Sequence, residues 1–567
     1  MDKKILIGIY DRYLNTAGGG ERYSCKMAEI LSHQKNYRVE LVTDLFTNLK
    51  RVSAKLNIDL DAVNLKVFPF LSDEYAGKIT KAYDIFINAT YLSSLSANAK
   101  RNLYLCYFPT PFDVDFKMLH RFLLKFFRIP ALWLYKFADR ISDGFKDIEV
   151  VEGIYDVKRF YLKRGAWSSG KTLIIYRNLS RKNSRIKNLY KKKSGFSIRI
   201  GLKNPKASSL SIVNCIVRIY EKENKKIIYT EHLMIPKGCK KFLEFKPHID
   251  DGKRISKSDN TEYIVEIESD TFFPEIEEGR VKDSRKLGIV LYDEQRTNFI
   301  EKIILKLVGF VPLFLVTFPQ NLKFLDSYDE IIAISKYSQK WIKKLWSKDS
   351  IILYPPVDVE KLKPKAKEKI ILSVGRFFSE HHNKKQYELA QNFIELFENY
   401  KDIMADFKLY LVGGVEEKPA HLEYLERIKE ISKGYPVKII PNIEWSDLVE
   451  LFSKSFIFWH AAGMGEDTDR HPEKFEHFGI TTVEAMASGC IPVVINMGGQ
   501  TEIIRDGYNG FLFESWEQLR EITLKICKNE IDCATISRNA LNDAKRFSSK
   551  NFEKRLLDII GKEVSRL

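Results

Sequence analysis

Cysteine is sparse and unpatterned in this chain: Cys25, Cys106, Cys215, Cys239, Cys490, Cys527 and Cys533 are the only seven among 567 residues, with no CxxC pair. An odd, scattered set excludes a disulfide framework and a zinc knuckle, and it fits a reducing cytosol. The amino terminus, MDKKILIGIYD, lacks the basic region, long apolar core and small-residue cleavage site of a secretory signal, so no export is predicted. No apolar run meets the roughly 20 residues that a membrane-spanning helix needs. The nearest, about 120–137 and 303–318, are interrupted by Lys125, Arg128 and Lys136 and by Lys306 and Pro312. The dinucleotide fingerprint G-x-G-x-x-G is missing from the first turn, which disfavours a dehydrogenase. Solenoid repeats and long low-complexity tracts are absent too. No His pair falls at i, i+3 or i, i+4 on an expected helix, so no preformed metal ligand set is expected.

What is present is apolar content and positive charge. Hydrophobic residues make up 44% of the chain, enough to bury several cores, and the length suggests roughly three or four domains. The formal net charge of +17 points to an anionic partner: nucleic acid, a phospholipid surface or a phosphorylated substrate. The densest basic run, 177–195 (RNLSRKNSRIKNLYKKKSG), holds eight Lys or Arg and no acid; it reads equally as a solvated linker or a membrane-surface segment.

Along the chain, short apolar runs (ILIGIYD, RVELVTD, LKVFPF, DIFINAT, NLYLCYFP) first alternate with amphipathic stretches, the texture of a doubly wound parallel α/β domain. From about 147 to 296 the runs become period-two and β-branched, as in SIVNCIVRIYE and TEYIVEIE, with turn signals such as KENKK and PKGCK between them. That segment is expected to be an inserted antiparallel β-sandwich. Alternation then returns, with Pro355-Pro356 marking a linker, and continues through KIILSVGRF, FKLYLVGG, VKIIPNI, SFIFWHA, IPVVIN and NGFLF. Two open α/β sheets place a ligand by default at the carboxyl ends of their strands.

The strongest chemical constellation is FEHFGITTVEAMASGC at 475–490. A helical pattern starts near Gly479 and stops at Gly489, so the amides around Phe478 to Thr481 lie at a helix amino terminus, suited to phosphate or sugar oxygens. Glu476 precedes the helix and Glu484 lies about a turn inside it. In SVGRFFSEHHNKKQ, 373–386, a strand ends in Gly375-Arg376, and Lys384 and Lys385 precede a further helix. Fixed guanidinium and ammonium groups stabilise charge that builds on a departing diphosphate. Gly18-Gly19-Gly20-Glu21-Arg22 after the first strand permits close approach of backbone to a bulky ligand, although such a turn also occurs for packing alone. The loop FWHAAGMGEDTDRHPEKFEHFG, 457–478, brings His460 to the ligand edge.

The spacing of Glu476 and Glu484, with seven residues between them that include Phe478 and Gly479, resembles the E-x7-E motif of the family 4 glycosyltransferases of the GT-B fold. The strand IPVVIN with Gly498, Gly499 and Glu502 adds to the likeness, and GGGER looks like the same segment in the family's mannosyltransferases of lipid-linked oligosaccharide assembly. The resemblance covers the second lobe well, the first moderately and the β insert not at all. It implies that Glu476 contacts the transferred sugar, Glu484 the nucleotide ribose, and the amides between them the sugar hydroxyls and phosphate. It implies work without a metal and a UDP- or GDP-sugar as donor. Where many relatives carry a His near YLCYFPTPF, 104–112, this chain has Cys106 or Tyr107, so no general base is assigned. In retaining members the leaving phosphate takes the acceptor's proton.

The expectation is therefore a GT-B protein: first lobe 1–146 and 297–355, β-sandwich insert 147–296, donor lobe 356–545 and a final helix 546–567 packing back on the first lobe. Glu476, Arg376 and Lys384 are the expected catalytic residues, Lys384 being favoured over Lys385 by its spacing to Phe393. Gly19, Gly20, Phe478, Gly479, Ile480, Glu484 and His460 are expected donor contacts. The expected activity is retaining transfer from a nucleotide sugar to a glycan or lipid-linked acceptor of cell-surface polysaccharide or glycoconjugate synthesis, with no nucleic-acid partner. A sugar phosphorylase or epimerase, or a glycan-binding scaffold, is the alternative. LHRFLLKFFRIPALWLYKFADR at 119–140 and KIILKLVGFVPLFLVTF are expected either to form a positively rimmed apolar patch, placing the protein at the inner face of an anionic membrane, or to be core helices beside the insert.

Overall fold

The computed structural model describes residues 4–16, 18–43, 47, 49–67, 79–112, 116, 118–142, 148–154, 166–177, 198–206, 208–222, 226–246, 262–272, 287–293, 299–312, 314–319, 321–379, 383–415 and 419–567. All but the first residue of the basic run 177–195 lies outside them. The chain divides into two compact units, the first of residues 1–100 and 112–327, the second of 101–111 and 328–567.

In the first unit, Ile5–Tyr10 (β1), Tyr37–Thr43 (β2), Asn64–Val67 (β3) and Ile85–Asn88 (β4) pair in parallel in the order β4-β1-β2-β3. Strands buried on both faces read as continuous apolar runs, and Ile7, Ile9, Leu41 and Ile85 are fully inaccessible. Because the chain leaves β1 to one side for β2 and returns to its other side for β4, the turn after β1 sits at a change of winding direction. That turn opens the helix Gly19–Ser32, where Gly18 N–H donates to Glu21 Oε2 at 2.7 Å.

The insert is all antiparallel, built from Ile148–Ile154 (β6), Ala166–Arg177 (β7), Ile198–Lys203 (β8), Ile212–Glu221 (β9), Ile227–Pro236 (β10), Lys240–Phe245 (β11), Glu262–Ser269 (β12) and Val290–Asp293 (β13). Alternation aims Val213, Cys215, Val217 and Ile219 of β9 inward with Val265 and Ile267 of β12. In place of the two separate sheets of a sandwich, one sheet runs β10-β9-β12-β7-β13-β8-β11, with β6 also on β7. The reason lies in β7, whose first residues pair with β13 and whose residues from Lys171 onward pair with β12. Between them Gly170 adopts φ +99°, a bend that any Cβ would resist, since it would come 2.4 Å from Thr271 Cγ2. One strand thus turns the corner, and the sheet folds over a single core.

The second unit holds Arg101–Cys106 (β5), Glu330–Ala333 (β14) and Ile351–Ile352 (β15), parallel in the order β15-β14-β5. Its larger sheet comprises Glu368–Val374 (β16), Lys408–Gly413 (β17), Val437–Pro441 (β18), Ser455–His460 (β19), Ile491–Ile495 (β20) and Phe511–Phe513 (β21). All are parallel, ordered β18-β17-β16-β19-β20-β21. The winding direction reverses between β16 and β19, so the crevice at their carboxyl ends is where such a sheet takes a ligand. The last helix, Ser549–Val564, returns to β5, with Glu563, 3% exposed, accepting from Arg101 Nε at 2.6 Å. The fold class is as expected: two parallel α/β sheets with an antiparallel sheet inserted. No helix among the described residues is long and apolar enough to cross a membrane.

Candidate active site

At the switch point β16 runs into Gly375 and Arg376. The turn is pinned from below by Gln386, the buried first residue of the helix Gln386–Asn399, whose side-chain amide donates to the carbonyls of Gly375 at 3.0 Å and Arg376 at 3.1 Å. Nothing in the local sequence pattern singles out Gln386. Arg376 is exposed, lies 4.3 Å over the Phe378 ring, and has no carboxylate partner among the described residues. Phe378 in turn stacks on His421 at 4.8 Å. The guanidinium is thus held against a ring face.

Beside it, β19 delivers His460, which is 2% exposed. The short turn Pro472–Lys474 then returns the chain to Glu476. Glu476 Oε2 receives Lys384 Nζ at 2.6 Å and His460 Nε2 at 2.9 Å. An ionised carboxylate only accepts, so Nε2 carries the ring proton, while buried Nδ1 has no partner among the described residues. Burial pushes the Glu476 carboxyl up, but the Lys384 ammonium and the His460 N–H outweigh it and hold the group well below the usual carboxylate range. Lys385 turns elsewhere, towards Glu466 at 3.5 Å, an acid that also takes Lys474 at 2.7 Å.

The helix Ile480–Ala487 follows at once. Its N-cap, Gly479, sits at φ +119°, and a Cβ there would meet Gln500 Nε2 at 2.9 Å. With no side-chain cap, the first-turn amides at Ile480 and Thr481 have no intrahelical acceptor, which leaves an anion-friendly end beside Glu476. Glu484 lies a turn further along, 6% exposed. The Phe478 ring packs against Tyr354 at 5.5 Å and Phe547 at 5.1 Å, so only its backbone could serve a donor. Lys384 and His460 thus both meet Glu476, with Arg376 at the end of the adjoining strand. Gly19 and Gly20 open the first helix of the other unit.

Three neighbours carry structural duties that the sequence did not reveal. Glu502 accepts the amides of Lys336 at 3.0 Å and Tyr337 at 3.3 Å, anchoring the start of the helix Lys336–Trp346. Near the position of the relatives' His, Cys106 is buried, and the Tyr107 carbonyl accepts from Ser338 Oγ at 2.6 Å. The next aromatic, Phe108, stacks on His477 with centroids 4.2 Å apart and planes 8° from parallel. His477 donates Nε2–H to the Glu473 carbonyl at 3.2 Å, and burial lowers its imidazole to about 4. The unfolded ring takes up a proton near pH 6.5 and the folded ring resists it until about pH 4, so stability is full above pH 6.5 and falls as pH drops through that window. The loss is on the order of 3 kcal/mol at most. Thermal melts of wild type and His477→Phe between pH 4 and 7 should show a shallower acid decline in the variant; parallel curves would contradict it. Among the described residues no group of three or more His, Cys, Asp or Glu side chains is placed to hold a metal.

Residues 356–543, which contain β16 to β21 and every residue of this constellation, match the family Glycosyl transferases group 1. The second lobe is a group 1 glycosyl transferase domain. A GDP-Man:Man(3)GlcNAc(2)-PP-Dol alpha-1,2-mannosyltransferase of Dictyostelium discoideum is 26% identical over 260 residues, 43% of this chain and 49% of that one. Its namesake from Xenopus tropicalis is 29% identical over 245 residues, 40% and 47%. An uncharacterized glycosyltransferase of Methanocaldococcus jannaschii is 26% identical over 224 residues, 39% and 56%. The chain spans about half the length of the curated relatives it matches. Among solved structures, Anabaena HepE in complex with UDP aligns with 98% of this chain and 100% of its own, at 11% identity and a TM-score of 0.47.

Proposed function

We propose that this chain is a retaining glycosyltransferase that moves a hexose, mannose in the first instance, from a nucleoside-diphosphate sugar to a lipid-linked glycan. The observation that carries the proposal is Glu476, kept ionised by Lys384 and His460 at the switch point, beside an uncapped helix amino terminus. In this reading Arg376, Lys384 and the amides at Gly479 to Thr481 carry the diphosphate, Glu476 orients the sugar hydroxyls and Glu484 the ribose. The bond from the anomeric carbon to the diphosphate oxygen breaks, the bond to the acceptor oxygen forms on the same face, and the acceptor's proton passes to the leaving diphosphate. Acceleration then comes from positioning and from fixed positive charge at the leaving group, with no side-chain base. Gly19 and Gly20 are proposed donor contacts from the first lobe, and the domain bounds 1–146, 147–296, 297–355, 356–545 and 546–567 belong to the same proposal.

Mannose and a lipid-linked acceptor are favoured by the names of the relatives, which act on a dolichyl-diphosphate glycan. The test is mass spectrometry of products from GDP-mannose, UDP-glucose and UDP-N-acetylglucosamine, each offered with a polyprenyl-diphosphate-linked glycan. GDP-mannose should give a product one hexose heavier. Neither product nor thermal shift with any of the three would leave the glycan-binding scaffold as the better reading.

A further inference from the structure

The helix Met118–Ser142 enters the insert, and the helix Phe299–Val308 leaves it. Both are apolar on more faces than the fold uses. Tyr135 and Val308 sit in the core of the β insert at 3% and 0% exposure, with Leu134, Ile304 and Val311 packed against it. At 100° per residue, Ala131 and Tyr135 mark the buried face. Phe122, Phe126, Ile129, Trp133 and Phe137 follow one another at i, i+4, i+3, i+4 and i+4 along the opposite face. That second stripe is bare: Phe126 is 56% exposed, Ile129 71% and Trp133 72%. Phe310, just beyond the second helix, is 76% exposed. A soluble helix with one buried stripe ordinarily presents charge on the other.

The charge lies on the flank instead. Arg121, Lys125, Arg128 and Lys136 fall between the buried and the bare stripes, and no Asp or Glu occurs from Met118 to Phe137. An apolar stripe with cations on its flank, and no acid within the same twenty residues, matches the boundary between acyl chains and anionic headgroups. Four cations in twenty residues suit a helix lying in that boundary better than one crossing it.

We propose that this face, carried chiefly by the helix Met118–Ser142 and extended by Leu307 and Phe310, docks on an anionic lipid bilayer. The bare stripe enters the acyl boundary while Lys125, exposed on its flank, reaches the phosphates. The β insert then acts as the rigid backing that holds the helix in the membrane plane. The inference stands independently of the donor chemistry, since nothing in it uses Glu476 or its partners.

The test is flotation of the full chain with vesicles of phosphatidylcholine alone and of phosphatidylcholine mixed with phosphatidylglycerol, alongside Phe126→Ser/Trp133→Ser and Lys125→Glu chains. The wild type should float with the mixed vesicles, and each variant should lose about tenfold or more of that affinity while keeping its melting transition. Raised salt should weaken wild-type binding further on mixed than on neutral vesicles. No flotation of the wild type, or equal flotation of the serine variant, overturns the proposal. So does sedimentation showing a wild-type dimer that the serine variant dissolves, because a second copy would then cover the stripe.

Discussion

A Glu476→Ala chain is expected to lose about 10³-fold in transfer while keeping its fold, because this carboxylate is where the ammonium of Lys384 and the N–H of His460 converge. Alanine leaves the buried His460 Nε2 without its acceptor, at a cost of about 1–3 kcal/mol, which a domain with the usual 5–15 kcal/mol survives. Acid adds little to that cost near neutrality. With its folded pKa depressed, Glu476 contributes stability above the unfolded value near 4.3, and that contribution is lost only as pH falls through the lower folded value. The comparison at pH 7 therefore isolates chemistry from folding. Steady-state transfer, read beside a thermal melt, is the measurement, and normal turnover in the variant would sink the assignment of Glu476.

The helix behind that residue was legible because its signals are local: a glycine at the cap, an apolar period, a glycine past the end. Gly479 and Gly489 take positive φ where the pattern asks for them. Alternating texture likewise separated the parallel strands from the insert. What escaped were contacts between residues far apart in the chain. Glu502 resembles a motif acid, yet it serves a helix start 166 residues earlier. His477 lies flat against Phe108, and burial lowers its imidazole to about 4, a placement that no local pattern signals. The corner in β7 was hidden because one glycine within a strand looks the same whether it bends the strand or ends it. The helix Met118–Ser142 could be read as core or surface because it is both: one stripe meets the insert while the other remains bare.

Replacing Lys384 with alanine should be the second most damaging change, and it should differ in kind from replacing Arg376. Both variants remove a fixed cation from the proposed diphosphate site and should cost about 10²–10³-fold in kcat. Arg376 lies over the Phe378 ring, so Arg376→Ala leaves Glu476 with both of its partners. Lys384→Ala removes the charge that offsets burial at Glu476. The carboxyl pKa should then rise, and residual transfer by Lys384→Ala should acquire a fall on the acid side that neither the wild type nor Arg376→Ala shows. Burial favours the protonated acid, the ammonium opposes it, and only one of the two variants takes the ammonium away. Profiles of kcat/KM between pH 5 and 8 for the two variants decide the matter. Superimposable profiles would mean that Lys384 acts on the donor alone, and near-normal turnover by Lys384→Ala would remove it from the site.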